Sequence, residues 1–181
     1  MTRVGRDFSR AFAIAALLLI ATSASAEIID RIVAVVAGQI ITKSDVDAAA
    51  AFGLAPDLQA LIDRTLMLNE VRRVAPPEPA AAALEARTAQ IRAGFASPAA
   101  FARALEIDGL DESAVRSYAA DDLRLSAYLD ERFSSASLPT EEEVRQVGEA
   151  ARARLTAEHR QTLVNAWIAE LRRRTEITVL P

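Results

Sequence analysis

The sequence predicts a mainly α fold, a single helical domain with a small β-sheet formed by an N-terminal hairpin and the C-terminal strand. Three observations predict it. Beyond a leader-like N-terminus, β-branched runs of strand length lie only towards the two ends of the 181-residue chain. Between them, apolar segments with helical spacing follow one another, each opened by capping chemistry. Aromatic residues make up 5% of the chain and Ala about a fifth, so the core must be assembled from Leu, Ile, Val and Ala. A lone hairpin is marginal in water, so the strand-like runs at the two ends are expected to meet in one sheet.

Arg3, Arg6 and Arg10 precede an uncharged apolar run, Ala11 to Ala21, and Ala24-Ser25-Ala26 follows. A basic start, a short apolar stretch and an A-x-A site read as a secretory signal peptide over residues 1–26, cleaved after Ala26. The apolar run is about half of what spanning a bilayer requires, so no stable membrane anchor is expected. Losing Arg3, Arg6, Arg10 and Asp7 leaves 18 basic and 24 acidic residues, a net charge of −6.

The mature chain, 27–181, opens with Glu27 to Val36, β-branched and apolar on both faces of a two-residue period. Ala37-Gly38-Gln39 is a turn, and Ile40-Ile41-Thr42 returns as the second strand. Thr42-Lys43-Ser44-Asp45 caps a helix that runs to about Phe52, where Gly53 stops it. Pro56-Asp57 opens the next, which runs to Val74 and ends at Pro76-Pro77. Pro79 starts an Ala-rich helix ending at Gly94. Ser97-Pro98 places a cap before a proline at the first helical position, and Gly109 closes that short helix. Asp111 caps a longer helix ending near Phe133, and 134–139 is a linker. Thr140 to Glu143 forms a capping box, with helical composition continuing to Thr175. Glu176 to Leu180 is the last strand.

Three helical faces stand out. Over Asp57–Val74, Leu58, Leu61, Ile62, Leu66 and Leu68 share one broad face, while Met67, Val71 and Val74 lie roughly opposite. Such a helix is either central to the fold or carries an exposed apolar strip. Near the end, Val144, Val147, Ala151 and Leu155 share a face. Leu163, Val164, Trp167, Ile168 and Leu171 share another, turned by about half a revolution. One straight helix would have to bury opposite sides in its two halves, so a break or a change of packing partner is expected between Gly148 and His159. Third, Asp122 sits on the apolar stripe of Val115, Tyr118, Ala119, Leu125, Ser126, Leu129 and Phe133. A carboxylate there is expected either to pair with one of the many arginines or to sit at the rim of the face, with a functional acid as the lesser reading.

The acidic balance, with a sequence pI of about 5.2, argues against a nucleic-acid binder. With no Cys and only His159, thiol chemistry, disulfides and two-histidine metal sites are excluded. His159 lies in helical register without a strand-turn-helix elbow and reads as structural. Glu141-Glu142-Glu143 and Arg172-Arg173-Arg174 occupy the first and last turns of their helices, where the macrodipole favours each sign; the arginines could also touch acidic lipid or a partner. The six glycines are isolated, so no phosphate loop exists. No catalytic, cofactor-binding or metal-binding residue is expected, and the chain reads as no enzyme.

Taken in order, these features resemble a known family. The run Asp30 to Val36 followed by Ile40 to Asp45 looks like the opening of the SurA-type periplasmic chaperone domain. Leu61 to Arg64 through Leu68-Asn69-Glu70 resembles its second helix. Phe101 to Leu105, Gly109-Leu110 and the helix with Arg116 resemble its middle. Asn165 to Arg172, with Ile177 to Leu180, resembles its closing helix and strand, about 156–181. Family members usually carry parvulin-type prolyl isomerase modules of roughly a hundred residues before that closing helix. Here the junction, about 148–155, runs straight on, so isomerase activity is not carried over.

The resemblance implies a periplasmic, ATP-independent holdase for unfolded or extended segments of exported and outer-membrane proteins. Its client surface must be apolar or aromatic and accessible. The candidates are Met67, Val71, Val74, Phe95, Phe101 and Tyr128, the last pointing away from the Val115–Phe133 stripe. The alternative is an envelope adaptor that binds one dedicated partner. With the insert missing, the closing helix could also dock on a second copy, giving a swapped homodimer.

Overall fold

The computed structural model describes residues 30–181. The expected signal peptide and the first residues of the first predicted strand lie outside the described residues. The rest is mainly α with a three-stranded antiparallel sheet: β1 (Ile32–Val36), β2 (Gln39–Thr42), α1 (Lys43–Ala51), α2 (Leu58–Arg73), α3 (Ala81–Ala93), α4 (Pro98–Ile107), α5 (Glu112–Phe133), α6 (Glu141–Val147), a single 3₁₀ turn (Glu149–Ala151), α7 (Arg152–Arg174) and β3 (Ile177–Val179).

The strand order is β2-β1-β3, so the first and last strands pair as expected. The β1–β2 turn is Ala37-Gly38, one residue shorter than the sequence implied, and Gln39 already belongs to β2. Both turn residues have positive φ, 51° and 81°, as a tight I′ hairpin requires. A bulge between Ile32 and Ala34 places two residues opposite one on β2. It turns Val33 inward beside Ala34, and both are buried. Val35 pairs with Ile40 on one side and Thr178 on the other, so these three share the outer face.

Most predicted helix starts carry the predicted caps. Thr42 and Asp45 form a reciprocal capping box on α1, and Thr140 and Glu143 form one on α6. Asp57, Ser97 and Asp111 accept hydrogen bonds from the backbone N–H groups of Ala60, Ala100 and Ala114. The exception is α3, which starts two residues after Pro79 behind Ala80, without a side-chain cap.

The break before the closing helix falls at Gly148. Its φ of 91° and ψ of 153° belong to a region that essentially only glycine occupies. The chain reverses its buried face there, as the apolar pattern demanded, with one correction. Val144 is buried but Val147 is exposed, because α6 is only seven residues long and ends at Val147.

Two main apolar clusters result. One joins the sheet's inner face (Val33, Ala34, Val36, Ile41) to Ile62 and Leu66 of α2, Phe133 of α5, and Trp167 and Leu171 of α7. The other joins Ala48, Phe52, Ile91, Phe101, Val115 and Ala119 within the helical lobe. A small third cluster, Leu68, Val71 and Leu125, lies between α2 and α5. Helix α2 therefore buries both sides: it is the central helix, not the bearer of an exposed strip.

Candidate functional site

Between the apolar clusters, α2, α3 and α5 are tied by charge. Asp122 receives Arg64 at 2.6 Å and Arg87 at 2.7 Å, and its side chain is only 14% exposed. The carboxylate on the apolar stripe thus has two arginine partners, from two different helices. One turn away, Arg72 donates to Asp121 at 2.9 Å. Arg124 bridges Asp121 at 3.3 Å and Glu78 at 2.6 Å. These pairs form a charged layer across α2, α3 and α5.

An open cleft of about 210 Å³ lies against this layer. Gln39, Ile40 and Ile41 of β2 form one wall along its length, Asp45 and Ala49 of α1 extend that wall, and α2 contributes Leu61, Arg64, Leu68 and Arg72. Tyr118 and Asp121 of α5 face them. Burial, with Asp45 and Asp108 nearby, pushes the Tyr118 phenol above its ordinary value. Tyr118 therefore stays a neutral hydroxyl, able both to donate and to accept. Burial also raises Asp108, with Asp47 adding to it.

The second accessible feature is the outer face of the sheet. Ile40 is 53% exposed, Ile32 and Leu180 are also exposed, and Val35 is half-buried. β1 is apolar on both faces, yet among the described residues helices cover only one. Here lies the apolar surface that the sequence located elsewhere.

The six predicted client-binding residues do not assemble into one surface. Val71 is 1% exposed and packs with Leu68 and Leu125, so it is core. Phe101 is 4% exposed, enclosed by Phe52 at 6.3 Å, Phe95 at 5.3 Å and the Arg92 guanidinium over its ring at 5.3 Å. Phe95 belongs to the same aromatic cluster and is half-buried. Met67 is half-buried between two clusters. Tyr128 packs at 5.5 Å against Trp167 of α7, so the side pointing away from the stripe is covered by the closing helix. Only Val74, 56% exposed, stands in solvent, and it does not line the cleft. Single-helix geometry could not show that α7 and α5 approach α2 from both sides.

His159 contacts Glu143 at 3.4 Å at the α6–α7 junction, a structural position. The three terminal arginines of α7 are engaged: Arg172 pairs with Asp63 at 2.5 Å, Arg174 with Glu70 at 2.7 Å, and Arg173 with Glu170. Two of these pairs clamp α7 onto α2. Among the described residues, no cluster of three or more His, Asp or Glu could hold a metal ion, and no helix is long and apolar enough to cross a membrane. No known family model matches the chain, and no curated protein is significantly similar to it.

Proposed function

We propose that the protein is a periplasmic, ATP-independent holdase of the SurA-like kind. It keeps unfolded or extended segments of exported and outer-membrane proteins soluble, and it is no prolyl isomerase. One observation carries the reading: an apolar sheet face that no helix covers among the described residues, with Ile32, Ile40 and Leu180 exposed, flanks an open cleft in an otherwise acidic, heavily ion-paired molecule. Weak, exchangeable client binding needs such accessible apolar surface together with net charge that keeps the complex soluble. The order of hairpin, helices, closing helix and returning strand, which carries the family resemblance, supports the same reading.

The test dilutes a urea-unfolded outer-membrane barrel into buffer with the purified protein and follows light scattering. At modest molar excess the protein suppresses aggregation, and Ile40→Glu or Leu180→Glu weakens the suppression several-fold without lowering helical content. An absence of suppression across several unrelated barrels overturns the reading.

A further inference from the structure

We infer that the cleft-side edge of the sheet takes an extended polypeptide as an added strand, pairing its backbone with Ile40 and alternating its side chains between the apolar outer face and the charged cleft. This rests on the holdase reading and specifies what the site recognises.

The hydrogen-bond register decides which backbone groups are free. Ala37 N–H donates to Glu176 C=O at 3.0 Å, and Leu180 N–H donates to Val33 C=O at 2.9 Å. In an antiparallel pair, bonded positions alternate, so Val35 points its backbone at Thr178 of β3. Ala34 and Val36 then point theirs at β2, bonding Ile41 and Gln39. Ile40 is left with its N–H and C=O directed away from β1, into the side where the cleft opens. The neighbouring Thr42 N–H is already occupied by the Asp45 carboxylate at 2.8 Å. Among the described residues this short edge carries no proline, and the lysine that follows, Lys43, pairs with Asp47, so Ile40 is its one open pairing position.

The two sides of the edge differ in chemistry. Outward lie Ile40, Val35 and Ile32. Inward lie the Arg72–Asp121 pair and the Tyr118 hydroxyl, which has no hydrogen-bond partner among the described residues. Both charge signs and a neutral donor are therefore offered to inward-facing polar side chains. An added strand meets these two environments at alternate residues, so it must itself alternate apolar and polar. A helix would leave the Ile40 amide unpaired, and a cleft of about 210 Å³ accommodates individual side chains rather than a helix. A second folded copy is disfavoured by area. The bare apolar face amounts to a few side chains, against roughly 800 Å² per partner in a stable interface. None of the β3 residues, Ile177–Val179, lines this cleft.

Residues directly opposite one another on paired strands share a face. The added strand runs antiparallel to β2, so the ligand residue opposite Ile40 exchanges both hydrogen bonds with it; that residue carries an apolar side chain, and its own amide makes the contact. The experiment uses a fluorescent ten-residue peptide alternating Val or Tyr with Thr, and three derivatives: a same-composition peptide with apolar and polar residues in blocks, one N-methylated on the apolar residues, and one N-methylated on the polar residues. Methylation of the apolar residues and the block arrangement each weaken binding by roughly tenfold, the value of one or two hydrogen bonds, whereas methylation of the polar residues leaves it unchanged. Ile40→Pro, tolerated because that N–H faces away from β1, weakens the parent peptide to a similar degree.

Equal binding of the two methylated forms overturns the inference while leaving the holdase reading intact, provided the protein still suppresses barrel aggregation. Failure of both suppression and peptide binding overturns both. A dimer in sedimentation velocity that Ile40→Pro dissolves assigns the edge to a second copy and overturns the inference.

Discussion

Asp122 is the carboxylate that ties two helices of the helical lobe to α5. Its two arginine partners come from α2 and α3, and Arg64 is only 11% exposed. Replacing the carboxylate by Leu leaves a nearly buried guanidinium without its counter-ion, a change that costs about 3 kcal/mol when a buried pair is broken from one side. The urea midpoint of Asp122→Leu should fall accordingly, and adding Arg64→Met should restore part of the loss. Full additivity of the two changes would show that the pair is not coupled. The partner requirement of Asp122 was readable from the helical stripe, because an apolar neighbourhood around a carboxylate admits few solutions. The identities of Arg64 and Arg87 were not, since the chain holds many arginines and only tertiary packing selects among them. The same limit applies to Val71 and Val74. Both lie on the side of α2 expected to be accessible, yet one is core and the other solvent-facing because α5 passes over the first and not the second.

At the scale of elements, the junction between α6 and α7 is the most sharply specified feature. The apolar pattern changes face there, and the chain answers with Gly148 in a backbone conformation that other residues avoid. A Cβ at Gly148 meets nothing within 4 Å, so the cost of Gly148→Ala is torsional rather than steric. It should destabilise by about 1–3 kcal/mol. Trp167 is the only tryptophan, buried on α7 against Tyr128 and Phe133. Its fluorescence should report the earlier unfolding midpoint directly; an unchanged midpoint would mean the helix boundary can slide. Caps and strand termini were legible because they are local: a Thr, Ser or Asp beside its own helix N-terminus acts within four residues. The peptide-accessible edge left no such mark. Outward-pointing backbone groups have no side-chain signature, and Ile40 reads in sequence like any other strand residue.

For the whole molecule, the carboxylates set the response to acid. Ser44 and Thr42, through their hydroxyls, hold Asp30 below the usual range; Ser113 does so for Asp111, the Thr140 backbone for Glu143, and Arg152 for Glu149. A carboxylate with a depressed value in the folded state contributes stability fully above its unfolded value and loses it as pH falls through the folded value. The ordinary values are 3.8 for Asp and 4.5 for Glu. The thermal midpoint should therefore begin to fall below about pH 4.5 and keep falling towards pH 3. Asp108, raised by burial, works in the opposite direction: it gains stability as it protonates between its raised folded value and 3.8, and adds nothing further below that. Glu143→Gln should flatten part of the acid limb; a midpoint that stays level from pH 5 to pH 3 would contradict the assignment.

The position of β1 in the middle of the sheet has a consequence for how the protein is made. One neighbour, β2, emerges immediately after it, but the other, β3, follows the entire helical stretch. During vectorial synthesis β1 waits half-paired while every helix emerges. Trp167 and Leu171, which roof the inner face, also arrive late. Until β3 has emerged the nascent chain therefore leaves one edge of β1 unpaired, and a product truncated before Ile177 cannot close the sheet.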